Sequence, residues 1–345
     1  MHRLLLLVSC LLLLSCAGTR NVSFNSIRPA DINVPSNVQS IVLVDRTKFD
    51  VGGLNILEGV LTGELPDEDK AAVQSLMSNL RQQLRTSDRF EVKLATERLK
   101  GNSLTAAFPK PLSWVEVQSI CRRYGTDALL AVEMFDTDFI VTETSKMVTR
   151  TVDKKEVQVQ EFYAEGVDNI KIGIRLYNPK SRSVEDQELF NRSGTWNASA
   201  DSKTAALAAL ITKTEATRNL SGALGASYAA RIAPMNVFVN RTFRGKHKHS
   251  EAIGKGARYA EVDNWEAAIN TWKTGLQRPK NQKVAGHLAY NIAVGYEALG
   301  ELNDAKYWAG KAYTDFGYRR GRTYVNQLIN RMQNEEIASQ QLNGL

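Results

Sequence analysis

Residues 40–47, SIVLVDRT, set four successive apolar side chains between polar ones, the pattern of a strand buried on both faces. Helical spacing follows over about 68–86, where Val73, Met77, Leu80 and Leu84 share one face. In RFEVKLATE the pattern returns to alternation, with Phe90, Val92 and Leu94 apolar. A second helix is expected over about 114–124. Ser113 and Glu116 fit a capping box, Leu112 and Val117 are placed for a hydrophobic staple, and Gly125 stands where helices commonly end. Trp114, Val117, Cys121 and Tyr124 form its apolar stripe, and DALLAVEMFDTDFIV reads as the next strand. Strands and helices alternating over 38–142 predict an α/β layer.

Antiparallel strands are expected next. Ile170, Ile172, Ile174 and Leu176 alternate with Lys171, Gly173, Arg175 and Tyr177, NPKSR makes a turn, and VQVQEF (157–162) pairs alongside. An alanine-rich helix is expected over about 202–230, and PMNVFVNRTF (234–243) as a strand returning to the same sheet. RGKHKHSE then breaks the pattern, and the rest is helical. The predicted fold class is α+β: an α/β sheet domain with added antiparallel strands over 38–243, then an all-α region over 250–340.

The N-terminus carries an apolar run from Leu4 to Leu14 after Arg3. It is too short to span a bilayer, which takes about 20 residues, and has the layout of a secretory signal. Leu13-Leu14-Ser15-Cys16 resembles the lipobox of bacterial lipoproteins, in which the cysteine is acylated and becomes the first residue. Leu7-Val8-Ser9-Cys10 matches too, but cleavage there leaves only about five apolar residues, below the usual 7–15. The reading is a signal peptide over 1–15, acylation at Cys16, and a tether over 16–37, where Ser, Asn and Pro recur without periodicity. By the same resemblance, Ala17 rather than an aspartate implies the outer membrane, and the absence of an acidic run after Cys16 implies a periplasm-facing protein.

Composition narrows the partners. Without residues 1–15 the chain has 330 residues, and 43 Lys+Arg stand against 37 Asp+Glu. That excess of six is mild, and with an export signal it argues against a nucleic-acid partner. Cys121 would be the one remaining free thiol, placed on an apolar helix face as a core residue.

The C-terminal region contains a repeat. The stretch from Ala252 can be laid over that from Ala289, so that Gly256 meets Ala293, Tyr259 meets Tyr296, and Ala268 meets Ala305. ALGELNDA (298–305) has a glycine turn and an alanine five residues later. This resembles the tetratricopeptide family, whose small residues let paired helices approach closely. Asp263 stands where the first repeat should have its turn glycine. The resemblance implies a peptide groove on the first helix of each repeat, lined by Ile253, Ala257 and Glu261, then by Tyr290, Asn291, Val294 and Glu297.

Candidate chemistry is sparse. His247 and His249 are flanked by Lys246 and Lys248 and could ligate a metal only with distant partners, so no metal is expected. VGGLNILEG lacks the spacing and the Lys-Ser/Thr of a phosphate loop. Asp45 reads as a strand-end acid beside Arg46. No catalytic motif or cofactor signature is present. The whole layout resembles a Bacteroidota-type outer-membrane lipoprotein family of unknown function with C-terminal tetratricopeptide repeats. The expected function is a lipid-anchored, non-catalytic scaffold that binds another envelope protein or a peptide through its repeats. The alternative is a periplasmic small-molecule or glycan-binding lipoprotein using the glycine-rich stretch 49–63, whose apolar residues could line a pocket.

Overall fold

A computed structural model describes residues 18–47, 68–99 and 108–343. Cys10, Cys16, the signal segment 1–15 and the stretch 49–63 lie outside the described residues. The fold is α+β, an N-terminal sheet domain followed by an all-helical region, and the chain divides into two compact units.

The larger unit spans mainly residues 30–235. Among the described residues its strands are β2 (Ser40–Asp45), β3 (Glu91–Leu94), β4 (Ala128–Val152), β5 (Lys155–Asn178) and β6 (Ser183–Ala200), numbered after β1 (Thr19–Arg28) of the other unit. They form one sheet in the order β3-β2-β4-β5-β6. β2 runs parallel to both neighbours, and β4, β5 and β6 make an antiparallel meander. Every residue of β2 is buried, which is why it reads as an unbroken apolar run.

Helix α1 (Glu68–Thr86) covers one face of the sheet through Val73, Leu76, Leu80 and Leu84. α2 (Trp114–Tyr124) covers the other face through Val117, Ile120 and Cys121. Its start is the capping box expected from sequence: the Ser113 hydroxyl accepts from the Glu116 N–H at 3.3 Å, and the Glu116 carboxylate accepts from the Ser113 N–H at 3.1 Å. Gly125 ends it at φ +60°, a conformation that suits glycine.

The alanine-rich segment is two helices, α3 (Lys203–Ala209) and α4 (Lys213–Ile232). Thr212 restarts the chain as a helix cap, its hydroxyl accepting from the Glu215 N–H at 3.2 Å. α4 lies against α1 so closely that a Cβ on Gly225 would stand 2.7 Å from the main-chain oxygen of Leu76.

The smaller unit joins residues up to Pro29 with 236–339. Here two expectations are corrected. Part of the supposed tether is β1, and β7 (Met235–Arg244) pairs with β1 in a two-stranded sheet instead of returning to the large one. A two-stranded ribbon is marginal by itself. This one is held by packing, because Phe24 and Phe243 set their rings edge-on against Trp265, with Phe243 also against Trp272. The helices are α5 (Glu251–Ala260), α6 (Trp265–Gln277), α7 (Gln282–Ala298), α8 (Leu302–Thr314) and α9 (Arg320–Asn343). Gly256 lets α5 meet α6: a Cβ there would stand 2.2 Å from the indole nitrogen of Trp272. Asp263 takes φ +56° in the α5–α6 turn and Gly300 takes +78° in the α7–α8 turn, so the aspartate does what the glycine does.

Candidate functional site

The expected groove is not open. Ile253, Ala257, Tyr290, Asn291, Val294 and Glu297 are all buried, and only Glu261 is exposed. Glu261 receives the guanidinium of Arg20 on β1. The face of α7 that should receive a peptide is occupied by the chain's own ribbon. Asn291 accepts from the Arg244 N–H at 2.8 Å and donates to the Arg244 carbonyl at 2.8 Å. Three residues earlier on β7, Arg241 reaches Glu297 through two nitrogens, at 2.8 and 3.0 Å. Asn291 and Glu297 therefore do hold an extended strand, but an internal one, and of the expected groove residues only Glu261 is open to solvent.

Glu297 is the charged centre of this unit. Its carboxylate is fully buried, paired with Arg241 and Arg331, and accepts from the Tyr324 hydroxyl. Burial first, then the adjacent carboxylate, pushes the Tyr324 phenol well above its ordinary value. Paired in this way, the carboxylate meets the requirement that a buried charge be compensated.

Beside it runs a row of rings that sequence reading did not anticipate: His249, His247, His287, Tyr318, Tyr290 and Tyr324. Successive centroids stand 5.7, 5.4, 5.0, 5.3 and 5.0 Å apart. The fold thus brings His287 to the two linker histidines, though no cluster of metal-ligating geometry occurs among the described residues. Burial, then Arg244, His247, Lys283 and Arg320, lowers the His287 imidazole to about 4. The sequence signals for this cluster are two basic stretches, RGKHKH and RRGR, separated by sixty-nine residues.

In the larger unit the strongest polar centre is Glu133. It sits at the bulge between Val132 and Met134, which turns its side chain inward. Its carboxylate accepts from Arg46 at 3.0 Å, from Arg175 at 2.6 Å and from the Tyr177 hydroxyl. Burial and then Glu133 push Tyr177 up to about 12. Arg46 is thereby committed to Glu133, and Asp45 instead pairs with Arg98 at 2.6 Å and accepts from Thr47. Cys121 is a buried free thiol, pushed by burial to about 11, which holds it protonated.

The last feature is an arm. β5 leaves β6 behind at Phe162, opposite Ala200, and continues with β4 alone through the pairs Lys146–Glu161 to Val152–Lys155. Asp153 and Lys154, both at positive φ, close it as a hairpin turn. Val148, Val152, Val157 and Val159 share one face of this ribbon. Met147, Val152 and Val157 are 61%, 52% and 37% exposed.

Residues 38–243 match the family described as Domain of unknown function (DUF8603). The chain belongs to this family. Residues 254–337 match a second, Domain of unknown function (DUF6340). No curated protein matches the chain. Among solved structures, the PelC dodecamer from Paraburkholderia phytofirmans is 12% identical, with a TM-score of 0.28, over 62% of this chain and 99% of that one. A point variant of the same dodecamer gives 13% identity and a TM-score of 0.27, again over 62% and 99%.

Proposed function

We propose that this chain is a non-catalytic scaffold of a bacterial cell envelope, held to the outer membrane by acyl chains on Cys16 and facing the periplasm. In this reading it resembles the Bacteroidota-type lipoproteins, and it binds another envelope protein. The observation that carries the reading is the arm. A two-stranded ribbon is marginal in water, and this one shows apolar side chains to solvent beyond the reach of the third strand. A partner's strand or apolar face completes it. The helical region, which we read as tetratricopeptide-like, contributes rigidity, because the side of α7 that carries Asn291 is already taken by β7.

Replacing residues 146–161 by Asn-Gly tests the reading. The turn joins Ser145 to Phe162, which are already paired, so the body is expected to melt within about 3 °C of the native chain while partner binding is lost. Unchanged partner recovery would overturn it. The small-molecule alternative rests on the stretch 49–63, which lies outside the described residues.

A further inference from the structure

We infer that the smaller unit binds a phosphate group where α9 begins. A cavity of about 20 Å³ lies between β7, α7 and the start of α9, and Arg244, His287, Tyr290, Tyr318 and Arg320 line it. Arg320 also borders a wider depression of about 700 Å³, shared with Arg319 and Arg322. Among the described residues, no Asp or Glu lines either space.

Three observations point to an anion. First, His287 is only 5% exposed, and its Nδ1 has no hydrogen-bond partner; nor has the buried Nε of Arg244. Buried polar atoms left unpaired are costly, so a ligand at this point removes a penalty. Second, Arg319, Arg320 and Arg322 form no ion pair among the described residues, whereas Arg241 and Arg331 of the same unit are both spent on Glu297. Third, these arginines gather at the positive end of a 24-residue helix, where cations are disfavoured and anions are stabilised.

Size selects the group. The inner cavity has room for about one oxygen-sized atom. A tetrahedral oxyanion can place one oxygen there, against His287 and Arg244, and present the others to Arg320 and its neighbours in the open depression. Burial and the surrounding cations keep His287 neutral, with one ring N–H to donate. The same chemistry serves free phosphate or the phosphomonoester head of a lipid.

Titration calorimetry on the full chain in detergent near neutral pH tests the site, with inorganic phosphate as one probe and soluble dihexanoyl phosphatidate as the other. One-to-one binding is expected, weakened about tenfold or more by Arg320→Ala and by His287→Leu. Arg320 is exposed, so its variant keeps the fold. Arg192→Ala removes one exposed charge elsewhere and is expected to leave binding within about twofold. Binding of both probes marks free phosphate as a sufficient ligand, and binding of phosphatidate alone marks a lipid head. If neither binds, or if Arg192→Ala weakens binding as much as Arg320→Ala, the site is overturned.

Discussion

The side chain of Asn291 holds both main-chain polar groups of Arg244, at 2.8 Å each. A side-chain amide that pairs with a peptide unit in this way grips a strand without regard to its sequence. Asn291→Ala removes both bonds and leaves the Arg244 N–H and carbonyl unpaired. The expected loss is about 2–4 kcal/mol of stability, read from denaturant unfolding. Hydrogen exchange at the Arg244 amide should accelerate in the variant. Unchanged exchange would show that the ribbon is held by its aromatic packing alone.

Glu297 gives a second prediction. Glu297→Ala strands the largely buried guanidinium of Arg241 and leaves that of Arg331 with Glu335 alone, and is expected to cost about 3–5 kcal/mol. Replacing all three residues by leucine or methionine should cost less than the single change, because no fully buried charge is left uncompensated and Glu335, which loses Arg331, is part-exposed. A triple variant less stable than the single one would contradict this account of the cluster.

How much of this was legible in sequence depends on where each element's stability arises. β2 and α2 were legible because their signals are local: a run of buried aliphatics, and a Ser113–Glu116 cap with Gly125 at the end. β1 was not, because its alternation is confined to Val22 and Phe24, and the partners that hold Phe24 lie more than two hundred residues away. The break in the alanine-rich segment was marked by Thr212 and Glu215 but masked by the helical propensity around it. The arm was read as short strands, since a solvated ribbon keeps only a weak apolar alternation. From sequence the groove residues read as an open peptide surface, whereas all but Glu261 are buried, and Asn291 and Glu297 hold the strand β7. Sequence could not say that the strand belonged to the same chain.

His287 predicts a pH dependence. Its imidazole falls from the ordinary 6.5 to about 4 in the fold, so the unfolded chain binds the proton first as pH drops. Its contribution is therefore fully present above about 6.5 and is lost progressively toward 4, amounting to about 3 kcal/mol over that window. His287→Gln should be less pH-sensitive: between about pH 7.5 and pH 4.5 the native chain is expected to lose about 2–3 kcal/mol more than the variant. Parallel stability curves for the two chains would contradict it.

Cys16 is expected to carry the lipid. Cys16→Ala should lose palmitate incorporation and appear unprocessed or released as soluble periplasmic protein, while Cys10→Ala should label as the native chain does. Label lost on changing Cys10 and kept on changing Cys16 would reverse the assignment.

The scaffold reading is tested most directly by photocrosslinking in intact envelopes, with a photoreactive residue in place of Met147 on the arm or of Tyr290 on α7. The account predicts a discrete adduct to one envelope protein from position 147, and only intramolecular products from position 290, whose surroundings are the chain's own. A foreign protein captured at 290, or no intermolecular adduct from 147, would contradict it.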